Sequence, residues 1–465
     1  MYIQQLYTNC LAEAAYYIES NGEAAIIDPI RETEPYLELA KKRGTKIKYI
    51  FETHFHADFV SGHIDLANKT GAEIIFGPMA ETNYKVRNLK DGEELKVGDL
   101  TIRALHTPGH TPESTCYLLL DESYQEYCVF TGDTLFVGDV GRPDLLDGKM
   151  SKEELAGMMY DSLNNKIKKL PDEVIVYPAH GPGSSCGKSL GPEKQSTIGI
   201  QKQMNYALRD MTKEEFIKEL TSGLAPPPAY FFSDAMINKQ GYAAIDSVMK
   251  RNLTPLSIEQ FEKAVAQGAL VLDTRLPDHF EHGFVPGSVS IGLNGMFAIW
   301  VGTILDINTP LVLVCDEGKE EESVARLARV GYEKVTGFLQ GGFETWKKAG
   351  KPVDTLHAIE PKEFAKRVHA GGNVLDVRKL TEAEAGHIRG ATVIPLAELE
   401  DNYQSLDPET PVMIHCAGGY RSVIASSLLK RKGFKDVTNV HGGWRKMNPA
   451  DLPVETGVPS NLISE

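Results

Sequence analysis

The chain has 465 residues, of which 42% are hydrophobic and 24% are charged, and its formal net charge is −15. That length exceeds what one hydrophobic core usually serves and predicts about three domains. The acidic balance, with no lysine or arginine cluster, argues against a nucleic-acid partner. No apolar run reaches the roughly 20 residues of a membrane span, and the N-terminus has no signal-peptide features. We therefore expect a cytoplasmic location and no membrane partner.

The first half of the chain alternates short apolar runs with polar loops, which is typical of an α/β domain. Its predicted strands are Ala24–Asp28, Ile47–Thr53, Glu73–Phe76, Leu100–Leu105, Thr115–Leu120, Tyr127–Thr131 and Val174–Tyr177. Its predicted helices are Glu34–Arg43, Gly62–Thr70 and Lys152–Lys169. The proline-rich stretch that starts at Ala225 breaks this pattern, and residues up to about 251 are predicted to be a connector.

Metal-binding side chains are concentrated where predicted strands end. His54, His56 and Asp58 alternate in the loop after Ile47–Thr53, so several of them can point at one spot. Three further blocks follow, each at a strand end: Thr107-Pro-Gly-His110, Thr131-Gly-Asp133 and Tyr177-Pro-Ala-His180. A single loop histidine would be unremarkable, but four such blocks in this order predict a metal site on a rigid scaffold.

These blocks resemble the motifs of the metallo-β-lactamase superfamily, and the resemblance covers roughly residues 1–245. Two branches are relevant: glyoxalase II-like thioester hydrolases, which hold two metals, and persulfide dioxygenases, which hold one iron. The two-metal enzymes have a histidine where this chain has Phe59, so one metal is favoured. The resemblance implies one Fe(2+) per chain, held by His54, His110 and Asp133, with positions left for persulfide and dioxygen.

The same resemblance assigns supporting roles to neighbouring residues. His56, Asp58 and His180 are expected to orient the ligands or to hold water. Arg142, in Gly138-Asp-Val-Gly-Arg-Pro-Asp144, is expected to hold an anionic persulfide or a carboxylate of its carrier. The alternative is an arginine that forms only a surface salt bridge.

Two further residues beside the predicted metal site are candidates for substrate handling. Tyr177 is expected to contribute to substrate binding. Cys186 lies in a Gly/Ser-rich loop six residues after His180. It is predicted either to relay sulfur as a catalytic residue or to be a spectator thiol, and both interpretations stay open.

An internal repeat fills the second half of the chain. Leu272-Asp-Thr-Arg275 recurs 103 residues later as Leu375-Asp-Val-Arg378, and Gly283-Phe-Val-Pro-Gly287 recurs at the same interval as Gly386-His-Ile-Arg-Gly390. Two copies of a parallel α/β domain account for this spacing. The predicted domain boundaries are therefore 1–252, 253–355 and 356–465.

The last copy carries the loop Cys416-Ala-Gly-Gly-Tyr-Arg-Ser422 between a strand and a helix. Backbone amides, a helix N-terminus and a nearby arginine all favour a thiolate at Cys416. This loop resembles the active loop of rhodaneses, so Cys416 is expected to be a catalytic sulfur carrier. The residues expected to bind its substrate are Gly418, Gly419, Tyr420 and Arg421.

The middle copy keeps the framework but has a different loop. Cys315 is followed by Asp-Glu-Gly-Lys-Glu-Glu-Glu322, without the paired glycines or the arginine. The acidic side chains should raise the thiolate pKa and repel anionic substrates. We interpret this copy as a degenerate spacer or docking domain, with a weak second transferase as the alternative.

The sequence therefore predicts an α/β multidomain protein: an αββα metallo-β-lactamase sandwich followed by two rhodanese-like parallel-sheet domains. The resemblance implies oxidation of a low-molecular-weight thiol persulfide by O2 to sulfite. It further implies transfer of sulfane sulfur through Cys416 to give thiosulfate, a sulfide-detoxifying reaction. The alternatives are a dinuclear glyoxalase II-like thioester hydrolase and a non-enzymatic sulfur carrier or sensor. The carrier thiol (glutathione, coenzyme A, bacillithiol or another) and assembly into a homo-oligomer are left open.

Overall fold

The computed structural model describes residues 1–145, 150–224 and 226–462, and the chain divides into two compact units. The first unit comprises Met1–Val248 and Ala325–Glu333, and the second comprises Met249–Val324 and Lys334–Glu465. Among the described residues, no helix combines the length and the apolar character needed to cross a bilayer.

Two six-stranded sheets form the centre of the first unit, and in each sheet the strands lie side by side in chain order. The first sheet consists of β1 (Tyr2–Thr8), β2 (Glu13–Ser20), β3 (Glu23–Ile27), β4 (Lys46–Phe51), β5 (Glu73–Phe76) and β6 (Arg87–Asn88). The second consists of β7 (Glu94–Val97), β8 (Leu100–His106), β9 (Thr115–Leu120), β10 (Glu126–Gly132), β11 (Ile175–Pro178) and β12 (Ser196–Thr197).

Helices flank these sheets. They are α1 (Glu34–Arg43), α2 (His63–Thr70), α3 (Lys152–Asn165), α4 (Ile198–Met204), α5 (Lys213–Thr221) and α6 (Tyr230–Gln240), and α7 (Ile245–Asn252) begins in this unit and ends in the second. Strand β9 shows why the layers form, because its side chains alternate between two cores. Tyr117 and Leu119 enter the core between the sheets, whereas Cys116, Leu118 and Leu120 pack against the helices. The predicted αββα sandwich is confirmed.

This unit differs from the sequence-based expectation in its missed elements and in its last segment. The strands that were not predicted are β1, β2, β6, β7 and β12, and the helices that were not predicted are α4 and α5. Strand β1 is half-buried along its whole length and β2 is buried on both faces, so neither shows an alternation of apolar and polar residues. The connector predicted up to residue 251 is wrong, since α6 and α7 occupy most of it, although Ala225 lies outside the described residues. Asp234 and Asn238 of α6 are buried, which polar connector residues would not be.

The second unit contains two five-stranded parallel sheets with the same strand order. The strands of the middle copy are β13 (Pro255–Leu256), β14 (Leu270–Asp273), β15 (Val289–Ser290), β16 (Leu311–Val314) and β17 (Val335–Leu339), in the order β13-β17-β16-β14-β15. Its helices are α8 (Ile258–Ala266), α9 (Pro277–His282), α10 (Phe297–Ile304), α11 (Glu320–Ala328) and α12 (Gly342–Lys348).

The last copy repeats that topology as β18-β23-β22-β19-β21. Its strands are β18 (His357–Ile359), β19 (Val374–Asp376), β20 (His387–Ile388), β21 (Thr392–Val393), β22 (Val412–His415), β23 (Val437–Val440) and β24 (Val454–Glu455). Its helices are α13 (Pro361–His369), α14 (Leu380–Glu384), α15 (Leu399–Asn402), α16 (Tyr420–Arg431) and α17 (Gly443–Lys446). Strands β20 and β24 pair separately.

The repeated sequence motifs correspond to one buried ion pair. In the last copy, Arg378 Nη2 lies 2.6 Å from Asp376 Oδ2 and also donates a hydrogen bond to the Gly386 carbonyl. Its guanidinium stacks over the Trp444 ring at 4.1 Å. In the middle copy the same contacts join Arg275 to Asp273, Gly283 and the Phe343 ring. The Leu-Asp-x-Arg and Gly-x-x-x-Gly blocks therefore recur together because they meet in space.

Asp376→Asn should lower the free energy of unfolding of the second unit by about 3–5 kcal/mol, because the buried Arg378 loses its counter-charge. Urea unfolding followed by tryptophan fluorescence measures this change selectively. All tryptophans of the chain lie in the second unit: Trp300, Trp346 and Trp444. The exposed Asp436→Asn is the control and should change stability by less than about 0.5 kcal/mol. Equal midpoints for the two variants would show that the pair contributes nothing to stability.

Candidate metal centre and sulfur-transfer site

The three predicted metal ligands lie together. One ligand atom each from His54, His110 and Asp133 falls within 4.8 Å of the others, and all three residues are buried. Asp133 Oδ2 is 3.4 Å from His110 Nε2 and 3.9 Å from His54 Nε2. The three side chains follow β4, β8 and β10, so strand ends from both sheets converge on one point.

Two of these facing atoms have no hydrogen-bond partner among the described residues: His110 Nε2 and Asp133 Oδ2. Buried polar atoms without partners are rare because each carries a desolvation cost. A cation between the three side chains would satisfy both atoms. Two imidazoles and one carboxylate form a donor set that suits first-row transition metals. The residues present therefore fit a metal ion.

A short chain of hydrogen bonds fixes the ring of His54. Its Nδ1 lies 2.9 Å from the Thr53 hydroxyl, which in turn donates to Asp28 Oδ2 at 2.8 Å. The other oxygen of Asp28 accepts the Thr53 backbone N–H at 2.7 Å. Because the hydroxyl gives its proton to Asp28, it accepts the proton on Nδ1 and leaves Nε2 unprotonated. Burial also lowers the pKa of His54, which favours the neutral ring.

Arg142 fixes the second histidine, through its backbone. His110 Nδ1 lies 2.8 Å from the Arg142 carbonyl oxygen and donates its proton to it, which directs Nε2 at the cluster. The Arg142 side chain forms a two-pronged ion pair with Asp144, at 2.6 and 2.8 Å. The predicted role of this guanidinium in holding an anion stays a prediction, and in this structure Asp144 is its anionic partner.

His180 lies between two carboxylates rather than in the three-residue cluster. Its Nδ1 is 2.8 Å from Asp133 Oδ1, and its Nε2 is 2.8 Å from Asp58 Oδ2. Burial opposes a charge on this ring, but the two carboxylates outweigh burial and raise the pKa of His180. His180 therefore holds one oxygen of Asp133 and leaves the other oxygen facing the histidines.

His56 belongs to a neighbouring buried group. Its Nε2 is 3.1 Å from Asp28 Oδ1 and 3.5 Å from Glu52 Oε2. Phe59 is fully buried and its ring packs on that of His56, with centroids 4.4 Å apart. Position 59, where a histidine was expected for a two-metal enzyme, is therefore occupied by a phenylalanine that packs on His56.

Helix α6 holds the loop that carries these residues. Asn238 Nδ2 donates to the carbonyl oxygens of His56 and Phe59, at 2.8 Å each. Asn238 Oδ1 accepts the Ser61 backbone N–H at 2.9 Å. One buried amide thus satisfies three backbone groups of an irregular loop, which would otherwise have no partners inside the protein.

Cys186 and Tyr177 occupy different surroundings. Cys186 is buried, and its sulfur lies within 4.8 Å of ligand atoms of Asp58 and His180. Burial, with the nearby carboxylates, raises the pKa of this thiol, which disfavours the nucleophilic thiolate. Tyr177 stacks on Phe130 with centroids 5.4 Å apart and packs against the core between the sheets. The catalytic role of Cys186 and the substrate-binding role of Tyr177 stay predictions.

The loop after β22 forms a cradle around Cys416. The Gly419 backbone N–H donates to Cys416 Sγ at 3.1 Å, and Gly419 adopts a φ of 97°, which favours glycine. Arg421 forms a two-pronged ion pair with Glu382, at 2.7 and 2.9 Å. The Tyr420 hydroxyl donates to the carbonyl oxygen of Gly292, at 2.6 Å. The four predicted substrate-binding residues thus adjoin Cys416 in sequence, but two of their side chains already have protein partners.

Comparisons with known proteins identify the family of each part of the chain. Residues 8–180 match the model of the Metallo-beta-lactamase superfamily, and residues 257–349 and 360–449 match that of the Rhodanese-like domain. A probable hydroxyacylglutathione hydrolase of Schizosaccharomyces pombe is 32% identical over 232 residues, which are 45% of this chain and 85% of that protein. The mitochondrial persulfide dioxygenase ETHE1 of Homo sapiens is 30% identical over 208 residues, 44% of this chain and 74% of that protein.

Among solved structures, a metallo-beta-lactamase from Staphylococcus aureus subsp. aureus COL is similar with a TM-score of 0.65 and 32% identity. The similarity covers 73% of this chain and 98% of that chain. The chain belongs to the metallo-β-lactamase superfamily. It is an enzyme in which a metallo-β-lactamase domain is fused to two rhodanese-like domains, and the predicted fusion is confirmed.

The middle rhodanese-like domain places Cys315 where the last one has Cys416. Cys315 Sγ lies 3.5 Å from the Ser323 hydroxyl. Burial, with smaller contributions from Glu320 and Asp273, raises the pKa of Cys315 to about 11. A raised pKa was expected from the acidic loop, but burial is its larger cause.

The sequence-based search missed the residues that hold the metal ligands. In the sequence, Thr53 and Asp28 are only the last residues of two predicted strands, Ile47–Thr53 and Ala24–Asp28. Asp28 follows β3 directly and has a φ of 50°, an unusual value for a residue other than glycine. It stands at a strand end like the three ligands, so the same positional rule could have identified it.

Thr53→Val should weaken metal binding about 10- to 100-fold, because the valine cannot accept the proton of His54 Nδ1. Metal content after titration with a chelator measures the change. Thr101→Val is a matched control, since the buried Thr101 hydroxyl has no hydrogen-bond partner among the described residues. If both variants retained metal equally, the Thr53 hydroxyl would have no part in orienting His54.

Proposed function

We propose that the metallo-β-lactamase domain is a persulfide dioxygenase, which oxidises a low-molecular-weight thiol persulfide with O2 to sulfite. The observation that carries this proposal is the separation of the buried donors into a metal-facing set and an internal pair. His54, His110 and Asp133 face one another, while Asp58 and His180 are hydrogen-bonded to each other. The similarity to a human persulfide dioxygenase supports the same choice.

The proposed cofactor is one Fe(2+) per chain, held by His54, His110 and Asp133. When bound there, ferrous iron supplies the redox chemistry that dioxygen requires, and a three-residue face leaves room for small ligands. The chain itself sets the state of the donors. Thr53 and the Arg142 carbonyl fix the unprotonated Nε2 atoms, and His180 keeps Asp133 ionised by lowering its pKa against the effect of burial.

Sulfur transfer is assigned to Cys416. Its thiolate attacks the terminal sulfur of a thiol persulfide; the S–S bond of the donor breaks, and the carrier leaves as a thiolate. Sulfite then attacks the terminal sulfur of the Cys416 persulfide, forms thiosulfate and returns the Cys416 thiolate. The Gly419 N–H, 3.1 Å from Cys416 Sγ, stabilises negative charge on that sulfur. Together the two reactions would remove sulfide-derived sulfur.

A second candidate is thioester hydrolysis, and the similarity to a probable hydroxyacylglutathione hydrolase supports it. That activity would use metal-bound hydroxide as nucleophile. Against it stands Phe59, which fills a position next to Asp58 with a side chain that cannot bind a metal. The metal content of the purified protein separates the two functions.

Asp133→Ala should lower both the iron content per chain and the rate of oxygen uptake, each by about 100-fold or more. The reason is that the variant lacks one of the three proposed ligands. Protein reconstituted with Fe(2+) under anaerobic conditions is assayed for iron per chain and for oxygen uptake on adding glutathione persulfide. The exposed Asp210→Ala is the control. Full iron and full turnover in Asp133→Ala would refute the ligand assignment, whereas two zinc ions with thioesterase activity in the parent would favour the hydrolase.

Cys416→Ser should continue to consume oxygen but accumulate sulfite in place of thiosulfate, because a hydroxyl is a far weaker nucleophile and cannot form a persulfide. Sulfite and thiosulfate are measured together with oxygen uptake. Cys315→Ser is the matched control and should stay within about twofold of the parent, since its raised pKa leaves little thiolate. If Cys416→Ser formed as much thiosulfate as the parent, a cysteine other than Cys416 would carry the sulfur.

A further inference from the structure

The second unit contains a cavity of about 200 Å³ that is lined by both rhodanese-like copies. From the last copy it is lined by Gly418 and Gly419 of the Cys416 loop, by Asn439 of β23 and by His441, which follows β23 directly. From the middle copy it is lined by Asp278 and Glu281 of α9. The degenerate copy therefore forms one wall of a cavity whose other wall is the sulfur-transfer loop.

Direct contacts hold the two copies together around this cavity. The Tyr420 hydroxyl donates to the Gly292 carbonyl, and a Cβ placed on Gly295 would lie only 2.4 Å from the Tyr420 ring. Asn439 Nδ2 donates to Glu281 Oε1. Tyr420 directly follows the paired glycines, so the middle copy is packed against the loop that carries Cys416.

The cavity wall is rich in hydrogen-bond acceptors and negative charge. Glu281 is only 6% exposed, and Asn439 is 2% exposed with an Oδ1 that has no partner among the described residues. His441 Nε2 lies 3.3 Å from Glu281 Oε2, and Asp278 lies at the exposed rim. None of the described residues that line the cavity is a lysine or an arginine. A ligand that fits this wall offers N–H donors and a positive charge.

The cavity also borders the loop that holds the reacting sulfur. Gly418 and Gly419 belong to its wall, and the Gly419 N–H donates to Cys416 Sγ. A molecule that exchanges sulfur with Cys416 must pass this loop, and a cavity of this volume holds a small organic group. The acceptors are therefore placed to bind the body of the same molecule whose sulfur reacts.

We propose that this cavity binds the ammonium group of the carrier thiol that exchanges sulfane sulfur with Cys416, and that Glu281 and Asp278 select for it. The carrier is then a thiol of the amino-thiol class, and the middle copy determines specificity for the last one. This inference rests on the proposed transfer through Cys416. Burial raises the pKa of Glu281, so this carboxylate gains most from a cationic partner.

The exchange is redox-neutral in either direction. When the loaded protein is discharged, the carrier thiolate attacks the terminal sulfur of the Cys416 persulfide. A new S–S bond forms on the carrier, the S–S bond to Cys416 breaks, and its electron pair returns Cys416 to the thiolate. Loading is the reverse of these events, so both directions use the same bound carrier.

Discharge of full-length protein loaded with inorganic polysulfide tests the proposal in single turnovers. The probes are three two-carbon thiols that differ in charge: cysteamine, 2-mercaptoethanol and mercaptoacetate. Intact-mass spectrometry follows the loss of the sulfur atom from Cys416, and each rate is divided by the rate of the same thiolate with a small free persulfide. The parent should prefer cysteamine over mercaptoacetate by about tenfold or more, as expected for an ammonium near partly buried carboxylates.

Glu281→Gln keeps the shape of the side chain and should reduce this preference to about threefold or less. Asp278→Asn, at an exposed position where folding is not at risk, should reduce it to a smaller extent. Glu344→Gln, on the exposed side of α12, is the matched control and should retain the preference of the parent.

Two outcomes are distinguishable. Failure of polysulfide to load Cys416 in the parent would overturn the proposed transferase itself. Normal loading followed by equal discharge with the three thiols, or a preference unchanged by Glu281→Gln, would overturn the role of the cavity and leave the transferase intact.

Discussion

The carboxylate of Asp133 is the interaction on which the metal centre depends, because its two oxygen atoms have separate partners. His180 is bonded to one oxygen, and the other oxygen faces His54 and His110 without a partner among the described residues. A carboxylate buried in this way is tolerable only when positive charge is close to both of its oxygens. The histidines meet part of that need, and a metal ion would meet the rest.

A metal site in this region was predictable from the positions of its residues, whereas the choice of the three ligands came from the resemblance to persulfide dioxygenases. His54, His110 and Asp133 follow strands of a sandwich, and side chains at neighbouring strand ends meet in space. Their supports were not predictable in the same way. The contribution of Arg142 comes from a backbone carbonyl, which any residue could supply, so its identity in the sequence carries no signal. The guanidinium of Arg142 forms an ion pair with Asp144, and its role in holding an anion stays a prediction.

Elements of the fold were likewise predictable only where they leave a pattern in the local sequence. Strand β9 was predicted exactly, because its apolar residues supply two cores in alternation, whereas the half-buried β1 gave no such pattern. The segment after the proline-rich stretch is predicted to be a tail or connector because that stretch breaks regular structure. Asn238 is buried and donates hydrogen bonds to the backbone of His56 and Phe59, about 180 residues away in the chain, and local sequence patterns do not report such contacts.

Asn238 also determines how much chain the metal-binding domain needs. The region that matches the family ends at residue 180, yet the loop from His56 to Ser61 owes three of its backbone hydrogen bonds to an amide on α6. A protein shortened to the recognisable family region would keep all three proposed metal ligands. It would lose the Asn238 amide, whose hydrogen bonds hold the loop beside them. The smallest autonomous form of this domain therefore extends beyond Gln240, some 60 residues past the last recognisable motif.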